Sequence, residues 1–346
     1  MTDGAVRHYV LASKWMRSAS RGRLRRQAFL LLSLTACSGS AQPQTPEIIV
    51  PLVDHHQHLL SPGLAQVWSE PQPVLAEQLI AQLDAAGIRR ALVLSLAYAY
   101  GSPDLKLEDE YGRVKAENDW TSEQVARFPD RLRGFCSINP LKNYALEEVD
   151  RCAKNASLRH GLKLHFANSG VNLRNPDHVV LVRRVFQTAN SRRMTIVAHV
   201  WTGDDKIRNP FGKAEAMTVV NEILPSAPDV PIQIAHLGGS GPRLDPGTMD
   251  AMVVLAEAVA KGDSRMDNVY FDITTNVTAR SSATDAAFVA ARIRQVGLPR
   301  ILYGSDMPTG GNATAQDSWN AHRDKLALSN AEFRAIANNV ASYMQN

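Results

Sequence analysis

The amino-acid sequence predicts a (β/α)8 TIM barrel with an extra C-terminal helix. Three observations point there. From Ile48 onward, eight short apolar runs alternate with segments patterned as helices, the count such a barrel requires. The runs are almost uninterruptedly hydrophobic, as parallel strands must be when helices cover one side and the barrel interior lies on the other. No Gly-rich dinucleotide-binding turn follows the first run, which counts against an open doubly wound sheet. The 346 residues, 45% hydrophobic and 21% charged, suffice for one large soluble domain with a well-buried core.

Residues 48–55 read as the first strand, and residues 74–86 as an amphipathic helix that ends at Gly87, a natural C-terminal cap. The second strand is 90–96. A long polar segment, 98–113, leads to a helix around 120–128, and the third strand is 132–138. A helix at 143–155 precedes the short fourth strand, 161–165, and a helix at 177–190 follows it. The fifth strand is 194–200, with a helix at 213–224. The sixth is 232–236, with a helix at 250–261. The seventh is 269–273, with a helix at 284–296, and the eighth is 300–305. The tail adds a helix near 316–326 and a last one capped by Ser329, with Glu332 in the capping-box position.

The formal net charge of +4 belongs to the N-terminus. Seven of the 38 basic residues and one of the 34 acidic residues precede Cys37, so the remaining 31 and 33 give −2. A nucleic-acid partner is therefore not indicated. Residues 1–36 are predicted to be a signal peptide of the lipoprotein type. A basic stretch holding Arg17, Arg21, Arg23, Arg25 and Arg26 precedes the apolar run 28–34, which is too short to span a bilayer. Leu34-Thr35-Ala36-Cys37 looks like a bacterial lipobox, in which Cys37 is lipidated and becomes the mature N-terminus. Residues 37–47, rich in Ser, Gln and Pro, form the expected flexible tether to the domain 48–346. The expected location is the bacterial cell envelope, facing the periplasm or the exterior, with membrane contact only through the lipid. Cys136 and Cys152 lack metal-type spacing, and a disulfide and two buried thiols are both compatible with the sequence.

The most informative stretch is Asp54-His55-His56-Gln57-His58. Side chains at i and i+2 of a strand share a face, so His56 and His58 present two nitrogens side by side, as a chelated divalent metal needs, while His55 points the other way and is read as structural. His199, His236 and Asp306 each close a later apolar run. In a barrel these positions share the C-terminal mouth, where active sites form. A lone histidine after a strand is more often a hydrogen-bonded core residue, and Asp306 alone would serve as a helix cap. Five such residues at the ends of strands one, five, six and eight are a pattern.

That pattern resembles the amidohydrolase superfamily, and within it the amidohydrolase-related family of TIM-barrel metal-dependent hydrolases, lactonases and non-oxidative decarboxylases. The resemblance rests on His56-Gln57-His58, Gly161-Leu162-Lys163-Leu164-His165, Ala198-His199, Ala235-His236-Leu237-Gly238-Gly239 and Gly304-Ser305-Asp306-Met307-Pro308, and spans the chain from about Ile48 to its end. It implies that His56, His58, His199 and Asp306 hold one divalent metal. Zinc is the ion that imidazole plus carboxylate suits, and a second metal is left open. A water on that metal becomes acidic enough to act as a nucleophile. Asp306 is then the catalytic proton acceptor, and His236 orients the water or polarises the substrate carbonyl. Lys163 and His165 are candidates for a second metal or for substrate. A carboxylated, bridging Lys163, as in some superfamily members, is the alternative to a structural or carboxylate-binding cation.

Tyr98, Tyr100, Arg174, Trp201 and Arg208 are candidate substrate contacts by position on loops, the two arginines being suited to a substrate carboxylate. Gly238-Gly239-Ser240-Gly241 lacks the Lys-Ser/Thr ending of a phosphate loop and reads as a tight turn. The expected activity is hydrolysis of a lactone, ester or amide in a small organic molecule. The alternatives are decarboxylation of a small carboxylic acid on the same fold and a non-catalytic periplasmic binding protein. The intact ligand residues count against the last. Homo-oligomerisation is left open.

Overall fold

Eight parallel strands lie in one sheet in chain order: β1 (Val53–Gln57), β2 (Arg90–Leu94), β3 (Leu132–Ser137), β4 (Gly161–His165), β5 (Thr195–His199), β6 (Ile232–Ile234), β7 (Val269–Asp272) and β8 (Ile301–Leu302). This computed structural model describes residues 48–203, 209–308 and 314–345. The leader, Cys37 and the tether lie outside the described residues, as does Arg208. Ten α-helices surround the strands among the described residues: α1 (Pro62–Trp68), α2 (Ala76–Ala86), α3 (Glu110–Ala126), α4 (Ala145–Cys152), α5 (Pro176–Ser191), α6 (Lys213–Thr218), α7 (Pro246–Ala260), α8 (Ala283–Val296), α9 (Ala315–Lys325) and α10 (Asn330–Asn338). None is long and apolar enough to cross a membrane.

The sheet closes on itself just beyond β8. His55 N–H donates to the Tyr303 carbonyl (2.8 Å), Asp306 N–H to that of His56 (2.8 Å) and His58 N–H to that of Met307 (2.7 Å). Asp54, fully buried, reinforces this seam by accepting from the backbone N–H of Ser305 (3.1 Å) and from Gln57 Nε2 (2.8 Å). Strand parity separates two apolar layers. Ala91 and Val93 of β2 pack outward against the helices, whereas Leu92 and Leu94 join Val53, Phe135, Val197 and Leu302 inside the barrel. The last residues plug the floor: Tyr343 and Met344 join that inner cluster, and Ala341 N–H donates to His55 Nε2 (3.3 Å). His55 is structural, as the sequence predicts, with its Nδ1 on the Tyr303 carbonyl (3.2 Å).

Local signals fix most helix ends. Gly87 caps α2 at φ 71°, and Ser329 with Glu332 forms both bonds of the capping box of α10. Two helices differ from the sequence expectation. The helix expected at 120–128 begins at Glu110, ten residues earlier, so the polar segment 98–113 is partly helical. Its core-facing residues there are Val114, Glu117, Asn118 and Thr121, and buried polar groups hide the apolar stripe a helix normally shows. Helix α1 is not anticipated at all, although Ser61 caps it and Pro62 opens it. Cys136 of β3 and Cys152 of α4 form a disulfide, which resolves the alternative the sequence left open.

Candidate metal centre

His56 Nε2, His58 Nε2 and Asp306 Oδ1 converge at the C-terminal mouth. The carboxylate oxygen lies 3.2 Å from His58 and 3.6 Å from His56, and the three ligand atoms are all within 4.8 Å of one another. Each imidazole is oriented from behind. His58 Nδ1 lies 2.7 Å from the Leu94 carbonyl, which can only accept, so Nδ1 donates there and Nε2 is the nitrogen turned to the site. His56 Nδ1 lies 3.1 Å from Asp272 Oδ2, the carboxylate–histidine arrangement that orients metal-binding imidazoles. The donor set, two imidazoles and one carboxylate, fits a divalent transition metal.

Asp272, which ends β7, is the hub behind the site. Its Oδ2 also accepts from Gln233 Nε2 (2.5 Å), and its Oδ1 accepts from the backbone N–H of His236 (2.9 Å) and Thr274 (3.2 Å). Burial opposes its charge, yet His56 beside it and these donors hold the carboxyl well below the usual range. Gln233 in turn accepts from the Tyr343 hydroxyl, so a chain of polar contacts runs from the floor plug to His56. The sequence does not single out Asp272, although it is the polar end of an apolar strand like the others. Nor does it single out Gln233, a polar residue inside β6, or Tyr343.

His199, His165 and His236 line the same mouth. The β4–β5 register sets His165 directly beside His199, with ring centroids 4.2 Å apart, and His199 lies 4.5 Å from His236. His199 falls outside the three-ligand cluster, but its Nε2 is buried without a hydrogen-bond partner. Burial, then the neighbouring His165, drives His199 well below the ordinary imidazole range, so it is a neutral donor. His236 holds its Nδ1 on the Thr274 carbonyl (2.7 Å) and its ring 5.1 Å from His56. Lys163 is completely buried, with Nζ 3.1 Å from His56 Nε2, and burial lowers it to about 8.

The backbone is shaped for this convergence. His236, Leu237 and Asp306 adopt left-handed φ of 54°, 53° and 58°, conformations that cost non-glycine residues free energy and collect at functional sites. This turn ends β6 at Ile234, two residues before the predicted limit. Gly304 is needed for close approach: a Cβ there would lie 2.2 Å from Thr274 Oγ1 and 2.6 Å from His56 Cβ.

The predicted substrate contacts divide. Tyr98 is buried with its ring 5.0 Å from His165, and Trp201 stacks 6.1 Å from His199, so both border the mouth. Arg174 is held by the buried carboxylate of Glu215 at 2.5 Å, which engages the group the sequence assigned to a substrate carboxylate. Tyr100 is buried, at the Gly63 backbone.

A family model described as amidohydrolase matches residues 53–341. The chain belongs to the amidohydrolase family. No curated protein matches this amidohydrolase in sequence. Among solved structures it is similar to a 2,6-dihydroxybenzoate decarboxylase complexed with 2,6-dihydroxybenzoate, at 16% identity over 84% of this chain and 96% of that one, with a TM-score of 0.57. A dihydroxybenzoic acid decarboxylase from Polaromonas sp. JS666 with bound manganese and 2-nitroresorcinol matches at 15% identity over 84% and 95%, with a TM-score of 0.55. A structure described as a probable 2-pyrone-4,6-dicarboxylic acid hydrolase from Acinetobacter baumannii, with citric acid bound, matches at 16% identity over 83% and 96%, with a TM-score of 0.52. At these identities the likeness shows the fold of this amidohydrolase, with hydrolases and decarboxylases both among its neighbours.

Proposed function

We propose that this amidohydrolase is an exported metal-dependent hydrolase that cleaves a lactone, ester or amide bond in a small organic substrate. The observation that carries this reading is the convergence of His56 Nε2 and His58 Nε2 on Asp306, with both Nδ1 atoms held by acceptors from behind. His199, a neutral buried imidazole with an unpartnered Nε2, is the fourth ligand in this reading. A divalent ion, with zinc the ion of choice, supplies Lewis acidity and a lowered water pKa when bound. Asp306 accepts the proton of the attacking water and delivers it to the leaving group. His236, fixed through Nδ1 on the Thr274 carbonyl with its ring beside His56, offers Nε2 as an acceptor that orients the attacking water. Tyr98 and Trp201 wall the mouth.

Export is supported by the leader sequence and by the Cys136–Cys152 disulfide, since such bonds persist in oxidising compartments. Incorporation of radiolabelled palmitate that Cys37→Ala abolishes tests the lipid anchor in the bacterial envelope; soluble, unlabelled protein counts against it.

Decarboxylation is the second reading, and Lys163 favours it. A buried cation in the mouth is suited to hold a substrate carboxylate next to the metal ligands. Turnover of a lactone and ester panel alongside small aromatic carboxylates, with carbon dioxide release monitored, separates the two. Hydrolysis products support the first; carbon dioxide without hydrolysis replaces it with the second.

A further inference from the structure

The opposite end of the barrel carries an open pocket of about 440 Å³, away from the metal centre. Arg133 near the start of β3, Arg159 and His160 just before β4, Arg193 and Thr195 at the start of β5, and Tyr343 of the floor plug line it. The first five lie at the N-terminal ends of strands and Tyr343 plugs the same end, so this is the barrel floor. No acidic side chain contributes to its wall, and among the described residues no carboxylate pairs with any of the three arginines.

We infer that this pocket binds a small anion bearing phosphate. Three guanidiniums around a cavity within the usual size range of small-molecule sites present planar donor forks that match phosphate oxygens. The cations also disturb one another. Burial, then Arg133 and Arg159, depresses His160, and burial and Arg90 depress Arg133, a like-charge strain that a bound anion relieves. Arg133 is anchored by donating to the Tyr343 carbonyl, so one fork has a fixed direction. Arg193 gives an independent sign. It sits just past α5 at φ 54°, the left-handed position where glycine escapes the Cβ penalty, yet a long cationic side chain lines the pocket from there.

The phosphate has two possible sources, a free phosphorylated molecule or a phospholipid headgroup. Calorimetric titration of the full-length protein with pyrophosphate in low salt is compared with the double variant Arg159→Gln and Arg193→Gln, both exposed residues whose replacement leaves the core untouched. Phosphate also binds divalent metals, so the comparison with the variant assigns the site. The expected result is a saturable one-to-one binding step, weakened at least tenfold in the variant and by added salt. A parallel arm measures cosedimentation with vesicles of phosphatidylglycerol and phosphatidylcholine against vesicles of phosphatidylcholine alone. Pyrophosphate binding lost in the variant supports a free ligand. Binding only to the anionic vesicles, lost in the variant, supports the headgroup. No binding in either arm, or equal binding by wild type and variant, overturns the inference.

Discussion

Asp272 Oδ2 lies 3.1 Å from Nδ1 of His56 and fixes the face that this imidazole turns to the metal centre. All four partners of the Asp272 carboxylate are donors, namely His56, Gln233 and the backbone N–H groups of His236 and Thr274. An amide in its place sets N–H against N–H. Asp272→Asn is expected to weaken zinc binding about 10–100-fold, the usual effect of losing such a partner. Competition with a chromophoric chelator measures it; unchanged affinity would show that His56 needs no orienting carboxylate.

Gly304 is the contact point between the end of β8 and His56. A methyl group there meets Thr274 Oγ1 at 2.2 Å and His56 Cβ at 2.6 Å, in buried surroundings where something must shift. Gly304→Ala is expected to cost about 1–3 kcal/mol of stability through overpacking and to weaken metal binding as well. Urea unfolding and metal titration of the same sample check both effects.

Glu117 gives the fold a pH dependence of known sign. Burial raises its carboxyl from the ordinary 4.5 to about 7, against the opposing hydrogen bond from Ser61. Between these values the folded chain binds the proton and the unfolded chain releases it, so stability falls as pH rises through the window. The contribution is fully present below pH 4.5 and lost above pH 7, and at about 1.4 kcal/mol per pKa unit it amounts to roughly 3 kcal/mol. Asp54, also raised to about 7 by burial, acts in the same direction, so the difference between wild type and Glu117→Gln is the quantity to read. That difference should grow in favour of the variant from pH 4.5 to 7; a constant difference contradicts the assignment.

The Cys136–Cys152 bond closes a separation of 16 residues between β3 and α4. Loop-closure entropy for that length gives about 3 kcal/mol of stabilisation. Peptide mapping without reductant should recover the linked pair, and a Cys136→Ser, Cys152→Ser variant should unfold at correspondingly lower urea.

The sequence made some parts of this structure legible and concealed others for definite reasons. The strands could be read because both their faces are buried, which leaves continuous apolar runs such as Ile196-Val197-Ala198. His56, His58 and Asp306 could be read because each stands at an abrupt apolar-to-polar boundary. Asp272 stands at the same kind of boundary, but its function is to hold a ligand, and only the fold brings it to His56. Helix α3 was obscured because Glu117, Asn118 and Thr121 do core work with polar groups. Arg174 looks available in sequence because its partner Glu215 lies 41 residues away. Tyr343 reaches Gln233 across 110 residues, a distance no local pattern encodes.

Metal content of the purified protein, followed by turnover of wild type and Asp306→Asn on the lactone and ester panel with and without chelator, tests the central claim most directly. The account predicts about one divalent ion per chain, hydrolysis abolished by the chelator and restored by zinc, and a loss of about 10²–10⁴-fold in kcat for Asp306→Asn. A metal-free protein that turns over its substrate, or an Asp306→Asn variant with full activity, would contradict it.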